Sequence, residues 1–174
     1  MKRRLVIATV TLATAAALVA ALGACRSSEA SCATAHQCLP GVTYEGLHRE
    51  QYPPQELKGK TVVINFWATW CAPCRKEIPA FNKVYDRYKD DGVVMLGVLH
   101  DYTVDDVALL NFMSDNEFTY PVVRADEEIL AAYHYPRGLP TTFVYDRRGR
   151  LVTRHEGPMT EDQLAAALER ALGR

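Results

Sequence analysis

The 174-residue chain has no surplus of basic charge: 20 Lys plus Arg against 21 Asp plus Glu give a formal net charge of -1. Without a basic field nothing draws in a phosphate backbone, which argues against nucleic acid as a partner. There is also no internal repeat and no phosphate-binding glycine motif, so solenoids and nucleotide-cradling loops drop out. Cysteine is scarce, five in all, and none follows Cys74. A zinc ribbon would use a second CxxC or a His pair, and one CxxC supplies half a site, so no metal centre is expected.

What is present begins at the N-terminus. Lys2, Arg3 and Arg4 precede the alanine-rich apolar run LVIATVTLATAAALVAALGA, with no acid before Glu29, the pattern of an export signal. A run of about 18 apolar residues can also span a bilayer, so a retained anchor is the alternative. The ending Leu22-Gly23-Ala24-Cys25 decides between them, because small residues directly before a cysteine resemble the bacterial lipobox, where the cysteine is lipidated and the signal is cut just before it. Residues 1–24 are therefore expected to be a lipoprotein signal peptide, and Cys25 the lipid-bearing residue of an extracytoplasmic, membrane-anchored protein. Removing Lys2, Arg3 and Arg4 from the 20 basic residues leaves 17 against 21 acidic ones, a formal -4. Cys32, Cys38, Cys71 and Cys74 then remain as two possible pairs, and an exported chain meets oxidising conditions in which thiols pair or are kept reduced by a dedicated donor.

Residues 25–45 read as a flexible tether, rich in Ser, Ala, Glu and His and without periodicity, ahead of one domain over 46–174. Within it TVVINFW is short, β-branched and apolar on both faces, as a strand inside a sheet should be. A helix is expected from Ala72 to about Asp90, a second buried strand over Val93 to Leu99, and a helix over VDDVALLNFMSDNE with acids in its first turn. A short strand TYPVV, a helix over DEEILAAYHY, and a hairpin TTFVYD/RLVTRHEG around Arg147-Arg148-Gly149 follow. The last helix opens on a capping box, Thr160 with Gln163, and buries Leu164, Ala167, Leu168, Ala171 and Leu172. The alternation implies an α/β fold, a mixed and largely parallel sheet with helices on both faces.

The chemistry concentrates in WATWCAPCRKEIP, Trp67 to Pro79. Cys71 follows a buried strand and opens a helix, where open α/β sheets place reacting groups; the helix N-terminus favours a thiolate there. Cys74 is one turn later on the same face, about 5 to 6 Å away between Cβ atoms, so the pair can close a disulfide. Pro73 presets φ in the first turn, where its missing N–H costs nothing. A purely structural staple is the bland alternative, yet so short a loop constrains the unfolded chain little. Redox exchange is favoured, with Cys71 attacking and Cys74 resolving, and no cofactor beyond this redox-active pair is expected.

The stretch NFWATWCAPC resembles the thioredoxin superfamily, and the span from about Gly41 to the C-terminus resembles its TlpA/ResA branch of membrane-tethered thiol-disulfide oxidoreductases. The resemblance rests on several separated motifs: WCxxC, RKEIP, GLPTTFVYD and GPMTEDQL. It implies that Pro140 is a cis-proline facing the CxxC and that the Leu139 backbone pairs with a bound peptide as an added strand. It also implies that Glu77, three residues past Cys74, sits in a cavity behind the thiols and exchanges protons with Cys74; a solvated helix acid beside Lys76 is the other reading. Where thioredoxins carry a buried aspartate, six residues before the first cysteine, this chain has Asn65, which leaves Glu77 as the substitute. Pro79 would kink the helix. Trp67 reads as core, and Trp70 as a partly exposed contact for a protein partner.

Weaker signals remain. CATAHQC, Cys32 to Cys38, reads first as a structural disulfide, with an accessory redox pair or a Cys-His-Cys metal site through His36 as alternatives. His100 and Asp101 follow a parallel strand, which would put them on the active-site face, but read by default as a solvated loop pair, while His134 and His155 carry no pattern. Cys-x-Pro-Cys with a small first x resembles the dithiol-donating thioredoxins more than the oxidising members that place a His before the second cysteine. Fewer groups stabilising the thiolate make the dithiol the readier donor. In the family such reductants act on exported protein disulfides, among them apocytochrome c or copper-site cysteines, and are recharged by a membrane thiol donor. A disulfide-forming oxidant, a peroxidase, and a Cu(I)-binding module using Cys71, Cys74 and His134 are the rivals.

Overall fold

The computed structural model describes residues 37–174; the signal segment, Cys25, Cys32 and His36 lie outside the described residues. A two-stranded antiparallel ribbon of β1 (Tyr44–Glu45) and β2 (Gln51–Tyr52) leads into a short helix α1 (Pro54–Leu57). Strand β3 (Thr61–Trp67) buries all seven residues and feeds helix α2 (Ala72–Tyr88), which closes in a 3-10 turn, Lys89–Asp91, and a left-handed Gly92 at φ +79°. Strand β4 (Val93–Leu99), helix α3 (Asp106–Asp115), strand β5 (Val122–Arg124) and helix α4 (Glu127–Ala132) follow, then the hairpin β6 (Thr141–Tyr145) and β7 (Leu151–Glu156), and helix α5 (Glu161–Leu172). The strands form one sheet in the order β5-β4-β3-β6-β7. Strand β3 is parallel to β4, β4 is parallel to β5, and β6 runs antiparallel to both β3 and β7. This is the mixed α/β sheet that the alternation implies, in the thioredoxin-like arrangement that the resemblance implies.

The period of two along β3 divides the core. Val62, Ile64 and Phe66 pack with Tyr44, Leu96, Val98, Ile129, Tyr133 and Phe143, whereas Val63 packs with Phe81, Val84, Met95, Leu164 and Leu168 under α2 and α5. The capping box at the head of α5 is complete: Thr160 Oγ1 accepts from Gln163 N–H, and Thr160 N–H donates to the Gln163 side chain. Leu164, Ala167, Leu168 and Ala171 are buried, while Leu172 is half-buried.

The folded unit reaches further toward the N-terminus than a tether ending at residue 45 allows. Leu39 N–H donates to Gly149 C=O at 2.7 Å, Cys38 bridges to Arg150, and Val42 and Tyr44 are buried. Val42-Thr43-Tyr44-Glu45 alternates buried and exposed, a strand-like pattern too short to stand out. Strand β5 starts later than TYPVV implies, since Pro121 has no N–H for the ladder although its C=O accepts from Gly97 N–H. Helix α4 stops at Ala132 rather than Tyr135. His134 and Tyr135 turn left-handed at φ +55° and +49°, and Tyr135 N–H reaches back to Leu130 C=O at 2.8 Å, a helix-ending motif that usually employs glycine.

Candidate active site

Strand β3 carries the chain to the carboxyl end of the sheet, where Cys71 N–H donates to Ala68 C=O and Cys71 becomes the N-cap of α2. Its sulfur accepts from Cys74 N–H at 3.3 Å, occupying one of the unpaired donors of the helix start. Those donors and the positive end of the helix dipole stabilise a thiolate at this position. Cys71 and Cys74 are joined, S–S 1.99 Å and Cα–Cα 5.3 Å, and both sulfur residues are buried. Pro73, in the first turn, is exposed.

Behind the pair, α2 turns Cys74, Glu77, Ile78 and Phe81 inward at helical spacing. Glu77 is therefore a buried acid, only 3% exposed, and not the solvated one that its neighbour Lys76 would suggest. One carboxylate oxygen accepts from Asn65 Nδ2 at 2.9 Å and the other from Met159 N–H at 2.9 Å. Burial pushes the carboxyl up to about 7, against the opposing pull of the Met159 and Asn65 hydrogen bonds. Asn65 Nδ2 also donates to Thr142 Oγ1 at 3.0 Å, so the amide ties the acid on the helix to strands β3 and β6. An aspartate at that position would instead set a second negative charge against Glu77.

Beside the pair lies a cleft of about 420 Å3 formed by Trp70, residues 100–103 and residues 136–139. Trp70 is 65% exposed and stands on the rim, while Trp67 is buried, stacked on Phe112. Leu139 is half-buried against the cluster that holds Cys71, Cys74 and Trp67. The Leu139–Pro140 peptide is cis, and Pro140 is buried, its C=O accepting from Gly157 N–H.

Asp101 corrects the default reading of a solvated pair: it is buried. Thr69 Oγ1 donates to one of its oxygens, and the N–H and hydroxyl of Thr103 donate to the other at 3.0 and 2.7 Å. Burial alone would raise its carboxyl, but these bonds together with Val104 N–H hold it below the usual range. The carboxylate thus fastens the Thr69-Trp70-Cys71 turn to the loop after β4.

The other sequence candidates fall elsewhere. Cys38 is disulfide-bonded, its expected partner Cys32 lying outside the described residues, and it lines a second cavity of about 300 Å3 with His134, Tyr133, Phe143 and Arg154. Sequence reading missed the Met159 N–H on Glu77, the Thr69–Asp101–Thr103 clamp, and Arg137 in the cleft. Only GPMTEDQL, already conspicuous as a motif, hinted at the first.

A family model described as the AhpC/TSA family matches residues 35–154. The chain is 35% identical over 132 residues to the thiol-disulfide oxidoreductase ResA of Bacillus thuringiensis (strain Al Hakam), covering 75% of each protein. Among solved structures it resembles a thiol:disulfide interchange protein of the thioredoxin family from Chlorobium tepidum TLS, with TM-score 0.72 and 29% identity over 79% of this chain and 97% of that one. StoA from Bacillus subtilis aligns with TM-score 0.63 and 29% identity, over 75% of this chain and 100% of that one.

Proposed function

Because the chain belongs to the AhpC/TSA family and is a thiol-disulfide oxidoreductase of the ResA type, we propose that it works as an extracytoplasmic reductant, tethered by a lipid on Cys25. In the dithiol form, the Cys71 thiolate attacks one sulfur of a substrate disulfide. The Cys71–substrate bond forms, the substrate bond breaks, and the leaving substrate thiolate takes up a proton. The Cys74 thiolate then attacks Cys71 Sγ, closing the Cys71–Cys74 disulfide and expelling the second substrate thiol. Two electrons pass from protein to substrate, the two substrate thiolates take up their protons from solvent, and a membrane dithiol donor restores Cys71 and Cys74.

Glu77 takes the Cys74 proton as that thiol becomes the attacking thiolate and returns it when the pair is reduced again. A carboxyl raised to about 7 is matched to this exchange at neutral pH. Trp70, Pro73, Leu139 and Pro140 form the contact face, with the Leu139 backbone taking up the substrate as an added strand. Substrates in this reading are exported proteins, apocytochrome c and copper-site cysteines among them, as the ResA-type resemblance suggests.

The observation that carries the reading is Cys71 at the head of α2 with Cys74 bonded to it and a buried, neutral-range acid one turn behind. The test is trapping. A Cys74→Ser variant should accumulate a mixed disulfide between Cys71 and a substrate that reductant releases, whereas a Cys71→Ser variant should accumulate none; equal trapping by both would defeat the assignment of roles.

A further inference from the structure

Resting on the thiol-disulfide reading, we propose that the cleft beside Cys71 selects substrate cysteines flanked within two residues by an acidic side chain, with Arg137 as the group that recognises the carboxylate. The cleft holds three kinds of wall: the exposed indole of Trp70, the loop after β4, and residues 136–139 leading to the proline. Its one acidic lining residue is already engaged, and the two acids beyond Tyr102 have partners of their own. Asp101 accepts from Thr69 and Thr103; next to Tyr102, Glu127 accepts from the Tyr135 hydroxyl, and Asp126 accepts from Ile129 N–H as the cap of α4. Arg137 is exposed and has no ion-pair or hydrogen-bond partner among the described residues.

Position gives the unengaged guanidinium its meaning. Arg137 is two residues before Leu139, the point at which the substrate strand would pair. Arg137 lies in the bend that leads to Leu139 and lines the same cleft, so a side chain that enters the cleft from beside the attacked cysteine comes within reach of it. A guanidinium offers a fork of donors that fits a carboxylate. Asp101 keeps the Trp70 turn in place through Thr69.

The nearby acids Asp126 and Glu127 make the opposite preference, for a basic flank, the natural rival, and the experiment decides by sign. The full-length protein in mild detergent, reduced beforehand, would be assayed against three disulfide-linked peptides identical except for Asp, Asn or Lys two residues from the cysteine. The wild type should reduce the Asp peptide with a second-order rate constant about two- to fivefold larger than that for the Lys peptide, the effect of one modest ion pair, and the ratio should shrink at high salt. Arg137→Glu should reverse the ratio and Arg137→Lys should keep its direction. A wild-type ratio at or below one, or a ratio that survives Arg137→Glu, overturns the inference while leaving the oxidoreductase intact. Failure on all three peptides would overturn the underlying reading itself.

Discussion

Two buried carboxylates flank the cysteines, one behind and one beside, and they are held in opposite states. Glu77 and Asp101 are 3% and 4% exposed, so desolvation penalises both charges. Glu77 is met by two donors, Asn65 Nδ2 and Met159 N–H, and its carboxyl is pushed up to about 7. Asp101 is met by Thr69, by Thr103 twice and by Val104, and its carboxyl falls below its ordinary value of 3.8. Desolvation outweighs two donors at Glu77, deep behind the thiols, whereas four donors outweigh it at Asp101 nearer the surface, so depth and donor count together set whether a buried carboxyl is raised or lowered. The first lies one helical turn behind Cys74; the second fastens the turn that carries Trp70.

The largest effect should come from removing the chemistry both carboxylates serve: Cys71→Ser should abolish disulfide reduction in a turbidity assay with a protein disulfide while thermal unfolding stays cooperative. Next, Glu77→Gln should slow exchange by about 100-fold, within the range of general acid–base contributions, and erase the inflection of the rate–pH profile near 7; Asp101→Asn should keep that inflection. An inflection that vanishes in Asp101→Asn instead would break the comparison.

A stability effect ranks third. Glu77 rises from 4.5 in the unfolded chain to about 7 in the folded one, so the folded state favours its protonated form. That stability is complete below about pH 4.5 and is lost as pH climbs through 7, a decline of about 3 kcal/mol, which urea titrations of Glu77→Gln should lack. Asp101 has the opposite sign: its contribution is present above 3.8 and lost only as acid carries the pH below that. Asp101→Ala should cost about 2 kcal/mol at neutral pH, since Thr69 and Thr103 donors lose their buried acceptor. Smallest, Asn65→Asp should move the Glu77 inflection upward by about one pH unit through like-charge repulsion, read from the same rate profile.

Much of the fold was legible because its signals are local and periodic. Strand β3 is a continuous apolar run, and α5 declares itself by Thr160, Gln163 and the Leu164–Leu168 face. The ends of elements were harder, since left-handed His134 and Tyr135 stop α4 without a glycine and Pro121 delays β5. At the site, the CxxC announces itself, and so does the acid one turn on, but its burial does not. That depends on Met159 and Thr142, 82 and 65 positions further along the chain than Glu77, brought together only by the sheet. The cleft was invisible for the same reason: Trp70, Asp101 and Arg137 follow or precede three different strands, and no sequence spacing relates them.

The central claim, that Cys71 and Cys74 donate electrons, is most directly tested by their reduction potential, measured by glutathione or dithiothreitol redox titration of the full-length protein in detergent. The account predicts a value near that of thioredoxin, about -270 mV, or lower. A value near -120 mV, at the strongly oxidising end, would contradict it and make the protein a disulfide-forming enzyme.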